Sequence, residues 1–304
     1  MSDADASVDV SVLLVTYNHA RYIEAAIQSV LHQQTSRSFE LIVSEDASTD
    51  GTREIVDQAA ASDSRIRTLF STHNLRSNEP VLRGLRAARG RYVCLLDGDD
   101  RWLTPDKIER QAELLDAAPD AAGCFHNALV IDDDADRPTE RRWTVSPHST
   151  FAELWEGNPF ATGAGMLRRS TLERVGSWYV DCFPITDWPL YLVAAEHGDL
   201  LFVDEPVAAY RVHGGGEVSG LARKEQLLLI ARFYRQMAGV DGGRWAALAR
   251  SGASLYFAGQ AREFIRQGNK AAARLCARLS LQAGGVGQSV PWRKWIGLAR
   301  RSLV

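Results

Sequence analysis

The sequence has little cysteine and no apolar run long enough to cross a bilayer. Its four cysteines, Cys94, Cys124, Cys182 and Cys276, are scattered through 304 residues with no Cys-x-x-Cys pair. That spacing argues against a structural zinc site and a disulfide framework, and it suits a reducing cytosol. A membrane-spanning helix needs ~20 mostly apolar residues, and no segment comes near that. The first ten residues, MSDADASVDV, are acidic and lack an apolar core, so no secretory signal is expected. What is present is ordinary for a globular protein. Hydrophobic residues make up 45% and charged residues 24%, which excludes a disordered or fibrous chain. A chain of this length buries roughly 75% of its unfolded surface and needs no covalent or metal staple.

The net charge of −3 conceals an asymmetry. Leu221 to Val304 carries 15 basic and 3 acidic residues, a net of +12. The first 220 residues hold the remaining 20 basic and 35 acidic residues, a net of −15. We therefore expect two domains, an acidic body over 1–220 and a basic helical extension over 221–304. Such a tail suits a charged surface, or a helical face solvated by arginine.

Hydrophobic periodicity organises the body. Val10 to Thr16 is a short apolar, β-branched run with the composition of a buried strand. Ala20 to Gln33 follows with helical spacing of Ile23, Ile27, Val30 and Leu31. Phe39 to Ser44 reads as a second strand, Thr52 to Ala61 as a helix, Ile66 to Ser71 as a third strand and Pro80 to Arg89 as a helix. Arg91 to Leu96 is a fourth strand, running into DGDD. This alternation predicts an α/β fold, Rossmann-like, with a mostly parallel sheet and helices on both faces. Beyond it, Cys124 to Asp132, Gly163 to Leu167 and Leu200 to Val203 read as strands and Asp187 to Glu196 as a helix. From about Leu221 the pattern is helical.

In open α/β sheets, ligands bind outside the carboxyl ends of the strands. Three such ends carry polar clusters: Thr16-Tyr17-Asn18, Glu45-Asp46 and Asp97-Gly98-Asp99-Asp100. Carboxylates this close repel one another, and a hard divalent cation, Mg2+ or Mn2+, resolves the repulsion with help from substrate phosphates. The expected ligand is then a nucleotide diphosphate. A solvated acidic turn ahead of the next helix is the competing explanation of Asp-x-Asp taken by itself.

Taken in order, VSVLLVTYNHARYIEAAIQSVLHQ, LIVSEDASTDGT and YVCLLDGDDRW resemble the family 2 glycosyltransferases, which have the GT-A fold. The resemblance continues through GAGMLRRSTLERVG and ITDWPLYLVAAEHGDLLFVDEPVAAYRVHGGG and covers about residues 10–219. It implies an inverting transfer of a sugar from a nucleotide-diphosphate sugar to an acceptor hydroxyl. It also implies roles for individual positions. Thr16 and Tyr17, with Asn18, would line the base and ribose pocket. Glu45 and Asp46 stand where a carboxylate accepts from a nucleobase imide N–H, which suits uracil or thymine. Asp97 and Asp99 would form the Asp-x-Asp around Gly98, with Asp99 on the metal and Asp97 on the ribose or the metal's waters. Asp187 stands at the general base. Arg211 and His213 would close over the diphosphate, with His213 also a candidate metal ligand. Trp178 and Trp188 are candidates for the acceptor side.

The bland explanations run beside these. Asp187 before Trp188-Pro189 is a good helix N-cap, and His213 before three glycines is an ordinary loop residue. The chain departs from the family pattern with Glu45 for the commoner Asp and Ala47 for the usual Gly, which bears on nucleotide identity more than on reaction type. A nucleotidyltransferase would share the sheet and the metal, but it usually carries a Gly-rich basic loop where this chain has TYNHARY. A non-catalytic nucleotide-sugar-binding relative is countered by the intact Asp97, Asp99 and Asp187. A glycosidase would not need a nucleotide-binding sheet.

The expected partners are the donor and an acceptor glycan, lipid-linked glycan, protein or small metabolite. Nucleic acid is not among them, and cell-surface polysaccharide or glycoconjugate biosynthesis is the expected setting. Leu248 to Gln282 resembles one helical hairpin of the tetratricopeptide kind, which must cover its apolar face elsewhere. Pro291 to Val304 places Trp292, Trp295, Ile296, Ala299 and Leu303 on one helical stripe flanked by Arg293, Lys294, Arg300 and Arg301. That is the composition of a helix in an anionic membrane interface, or of one packed on the acidic body. The expected location is cytoplasmic, with a peripheral position on the inner membrane face if the tail binds lipid.

Overall fold

The computed structural model describes residues 8–133, 137–139 and 143–284. The stripe at 292–303 lies outside them. The described residues form two compact units. The first takes those up to Thr150 together with Pro159–Gly214, and the second takes Phe151–Asn158 with the residues from Gly215 onward.

The first unit is built on strands β1 (Val10–Thr16), β2 (Phe39–Glu45), β3 (Ile66–Phe70), β4 (Tyr92–Asp97), β5 (Arg101–Trp102), β6 (Gly123–Asp132), β7 (Arg137–Thr139), β8 (His148–Ser149), β9 (Gly165–Arg168) and β10 (Leu200–Val212). Its helices are α1 (Ile23–Leu31), α2 (Thr52–Ser62), α3 (Glu79–Ala87), α4 (Lys107–Ala117) and α5 (Trp188–Ala195). The strands join one sheet in the order β3-β2-β1-β4-β9-β6-β10-β5, with β7 on β6 and β8 on β10. The four longest ladders, β1 with β2, β1 with β4, β2 with β3 and β6 with β10, are all parallel. The antiparallel contacts are two or three residues long.

The apolar runs of β1, β2 and β4 are buried on both faces, and Ile23, Ala26, Ile27 and Val30 of α1 complete that core. The chain leaves β1 for β2 on one side and returns as β4 on the other, so the switch point of the sheet lies beside β1. Register then does the positioning. Thr16 pairs with Glu45, and Val15 pairs with Asp97, so all three polar clusters reach one edge.

One strand runs much longer than its sequence suggests. The periodicity predicts Leu200 to Val203, whereas β10 continues to Val212. Asp204-Glu205-Pro206 breaks the apolar pattern, and the pairing to β6 shifts register there without ending. The extended part pairs antiparallel with β5, Ala208 against Trp102 and Ala209 against Arg101. It therefore delivers Arg211 and His213 beside the loop after β4.

The second unit contains α6 (Arg223–Gly239), α7 (Ala246–Arg266) and α8 (Lys270–Gly284). The hairpin expected over Leu248 to Gln282 is present as α7 and α8, with Gly268 left-handed in the turn. Its apolar face is covered partly by a segment from the middle of the sequence. Gly252 of α7 lies so close to Trp155 that a Cβ there would stand 2.2 Å from the Trp155 carbonyl oxygen. Tyr234 donates to the same carbonyl at 2.7 Å. No helix among the described residues is long and apolar enough to cross a membrane.

Candidate active site

The turn after β1 is fixed by the turn after β2. Asn18, left-handed at φ 55°, donates its N–H to Ser48 Oγ and accepts from the Thr49 N–H, each at 2.8 Å. His19 N–H donates to Thr52 Oγ1 at 2.8 Å and Ala20 N–H to Asp50 Oδ2 at 3.0 Å. Asn18, expected in the nucleotide pocket, thus spends its side chain as a brace. Tyr17 beside it is partly buried. Ala47 is left-handed at φ 59°, the conformation that Gly takes at less steric cost.

Glu45 and Asp46 are buried at the end of β2. Glu45 Oε1 accepts from the Ser48 N–H, and Asp46 Oδ2 accepts from the Leu75 N–H at 2.9 Å. Their other oxygens, Glu45 Oε2 and Asp46 Oδ1, are buried without a hydrogen-bond donor. Leaving a buried acceptor unmatched costs about 1–3 kcal/mol, so two in consecutive residues point to a ligand that donates.

The loop after β4 gathers the charges. Burial, the Asp99 charge and the Asp187 charge push Asp97 up to about 8. Asp100 is buried and raised well above the ordinary carboxylate range by the same desolvation and by its neighbours, although the Arg211 N–H donates to its Oδ1 at 2.8 Å. Asp99 goes the other way. Burial pushes it up, but the His213 hydrogen bond and the nearby His19 outweigh that and hold it below its usual value. His213 Nε2 lies 2.8 Å from Asp99 Oδ2, which raises the imidazole's pKa. His19 Nε2 lies 3.8 Å from the same oxygen. One ligand atom from each of His19, Asp99 and His213 falls within 4.8 Å of the others. Asp97, expected beside Asp99 on a metal, is not in that group.

Arg211 bridges the site's halves. Its Nε donates to the Asp99 carbonyl oxygen at 3.1 Å, and its guanidinium lies 4.8 Å from the Tyr22 ring centroid and 3.4 Å from Asp133 Oδ1. Tyr22 OH donates to that Asp133 oxygen at 2.8 Å. Asp133 and Tyr22 were not picked out from the sequence. Nothing in their local pattern marks them, because they meet only when β6 and α1 are folded together.

Asp187 caps α5, its Oδ1 accepting from the Trp188 N–H at 2.7 Å, while Thr162 Oγ1 lies 3.3 Å from Oδ2. Its charge is felt at Asp97, so the expected base does share the edge with the Asp-x-Asp. Trp188 is only 2% exposed, and its ring packs in the interior instead of forming an open stacking face. Trp178 is partly buried, edge-on to Tyr179.

Residues 11–176, more than half the chain, match the family model described as glycosyl transferase family 2. The chain is 31% identical over 212 residues to an uncharacterized protein of Mycobacterium tuberculosis, covering 68% of this chain and 59% of that one. It thus spans about three fifths of that relative's length. It is 41% identical over 106 residues to a putative teichuronic acid biosynthesis glycosyltransferase, TuaG, of Bacillus subtilis, covering 35% of this chain and 41% of that one. Among solved structures, S. aureus TarS 1-349 in complex with UDP-GlcNAc superposes with a TM-score of 0.66 at 16% identity, over 97% of this chain and 88% of that one. At that identity the likeness speaks for the fold, which is GT-A with C-terminal helices. The ordered strand-end motifs, their convergence on one sheet edge and the family match together place this chain in glycosyltransferase family 2.

Proposed function

We propose that this chain transfers a sugar from a nucleotide-diphosphate sugar, UDP- or dTDP-linked, to an acceptor hydroxyl, with inversion at the anomeric carbon. The observation that carries this reading is the meeting, at one sheet edge, of two unmatched buried acceptors with a carboxylate–imidazole cluster. Within residues 1–220, the first compact unit, without Phe151–Asn158, is the donor-binding and catalytic domain. The basic extension over 221–304 serves the acceptor, or an anionic membrane surface that presents it.

Each residue has a chemical part. A free oxygen of Glu45 or Asp46 accepts from the base imide N–H. Asp99 and His213 suit a divalent ion, Mn2+ or Mg2+, being one carboxylate and one imidazole whose ligand atoms lie 2.8 Å apart. Such an ion supplies Lewis-acid stabilisation of the departing diphosphate. Arg211, tethered to Asp99 and Asp133, adds fixed positive charge over the leaving group. Asp187 then takes the acceptor's hydroxyl proton from the face opposite the leaving group. One base and no second nucleophile give a single displacement, hence inversion. The name of TuaG, with its teichuronic acid biosynthesis, supports an acceptor in polysaccharide assembly, and the UDP-GlcNAc bound by TarS supports a uridine donor.

The test is a panel of nucleotide sugars with and without Mn2+, read by release of the nucleotide diphosphate and by thermal shift with UDP, dTDP and GDP. Uridine or thymidine donors should be turned over and GDP should stabilise least. A product NMR spectrum showing retention would sink the single displacement. Binding without turnover of any donor, in the presence of acceptor extracts, would favour a non-catalytic relative.

A further inference from the structure

His19 belongs to no role assigned so far, yet its environment is built to hold it in one pose. Its Nδ1 lies 3.3 Å from Thr16 Oγ1, which leaves Nε2 facing Asp99. A metal-binding imidazole is oriented in this way, by a hydrogen bond at its other ring nitrogen. Its backbone N–H is held by Thr52. Gly98 makes the room. A Cβ at position 98 would stand 2.5 Å from Thr16 Oγ1 and 2.8 Å from His19 Nδ1. The rings of His19, Tyr22 and His213 stand edge-on or tilted to one another, with centroids 5.5–6.4 Å apart, and form a wall beside Asp99.

We propose that His19 Nε2 is a third protein ligand, with Asp99 Oδ2 and His213 Nε2, of the ion held at this edge, and that this set selects first-row transition ions over Mg2+. The inference rests on the reading of the edge as a metal-assisted donor site, and it deepens that reading. Ligands about 2.1 Å from one ion lie roughly 3–3.5 Å apart at octahedral or tetrahedral angles. The observed separations from the Asp99 oxygen, 2.8 and 3.8 Å, bracket that range. Mg2+ sheds water reluctantly and takes oxygen ligands, so two imidazoles disfavour it. For the divalent transition ions, affinity at such a site rises from Mn2+ to Co2+ to Ni2+.

The test needs no acceptor and no turnover. Titrating nucleotide-free protein with Mn2+, read by the EPR signal of the free ion, should show one site from which Co2+ displaces Mn2+ and a hundredfold excess of Mg2+ does not. His19→Ala should weaken that site at least about tenfold, with an unchanged circular dichroism spectrum. His19→Asp should restore binding and let Mg2+ compete. Pulsed EPR on wild type, which depends on no variant, should count two directly coordinated imidazole nitrogens. One nitrogen or none, or equal Mn2+ affinity in His19→Ala, overturns the proposal. Wild type that binds Mn2+ only when UDP is present also overturns it and leaves the donor-site reading standing. Wild type that binds neither Mn2+ nor UDP removes both.

Discussion

Two polar clusters lie along the same strand, and they have opposite economies. Midway along β4, Cys94 faces Lys107, whose ammonium is fully buried. Lys107 Nζ donates to Gln111 Oε1 at 2.7 Å and to the Gly165 carbonyl oxygen at 3.2 Å, has Cys94 Sγ at 3.7 Å and sits 4.2 Å from the Trp102 ring centroid. Gln111 Nε2 in turn donates to the Ala164 carbonyl oxygen at 2.8 Å and lies 3.1 Å from His126 Nδ1. Three residues further along β4, Asp97 is crowded by Asp99 and Asp187. The first cluster satisfies its donors within the protein. The second stores repulsion that only a ligand or a proton relieves. A satisfied buried network specifies structure, and an unsatisfied one at a strand's carboxyl end marks a site.

The largest expected effect is catalytic. Asp187→Asn keeps the cap on α5, because the amide oxygen still accepts from the Trp188 N–H, but it removes the base. We expect kcat to fall at least about 10²-fold while the donor KM stays close to wild type. An equal loss of donor affinity in a binding titration would assign Asp187 to structure and move the boundary between the clusters.

Next comes the satisfied cluster. Lys107→Met keeps the side-chain volume but strands Gln111 Oε1 and the Gly165 carbonyl oxygen. Each unmatched acceptor costs about 1–3 kcal/mol, so the chemical-denaturation midpoint should drop by the equivalent of about 3 kcal/mol. A variant as stable as wild type would show that the network is dispensable.

The mirror experiment at the site should have the opposite sign. The folded-state value of Asp97, about 8, lies far above its unfolded value, near 3.8. Its contribution to stability is present below about pH 4 and is lost as pH rises towards 8. Asp97→Asn does not titrate, so in metal-free protein it should be more stable than wild type by on the order of 2 kcal/mol at pH 8, with little gain at pH 4.5. Unfolding curves at the two pH values check this. A destabilised variant at pH 8 would mean that the carboxylates are already relieved within the protein.

How much of this was legible in the sequence follows the same division. The strands β1, β2 and β4 could be read because burial on both faces leaves continuous apolar runs, and a strand end followed by polar residues is a local signal. The clusters that hold Asp97, Asp99, Glu45 and Asp46 therefore stand out in the sequence. Arg211 and His213 were placed by family resemblance alone, since Pro206 and its acidic neighbours hide the second half of β10. His19, Tyr22 and Asp133 were missed as a group because their meeting depends on register across four elements. The Phe151–Asn158 segment was not assigned to the helical unit, because its partner, Gly252, is a hundred residues away in sequence. The Lys107 network left no trace either, since a lysine in a helix that reads KIERQAELL has the pattern of a solvated face.

The smallest expected effect lies at the far end of that network. Burial, with the charges of Lys107 and Arg110, pulls His126 down to about 4, against about 6.5 in an unfolded chain. Between those values the unfolded chain binds a proton that the folded one refuses. The stability His126 contributes is therefore complete above pH 6.5 and declines as pH falls towards 4, the reverse of Asp97. The ceiling for such a shift is about 3 kcal/mol, and local relaxation leaves about 1 kcal/mol as the expected loss between pH 7 and 5. His126→Asn, which still offers an acceptor to Gln111 Nε2, should flatten that slope in unfolding curves taken at the two pH values. The slope should also shrink in Lys107→Met, because one of the charges that opposes protonation of His126 is gone. An unchanged slope in Lys107→Met, with a flat one in His126→Asn, would show that burial and Arg110 set the titration and that the two ends of the network are electrostatically independent.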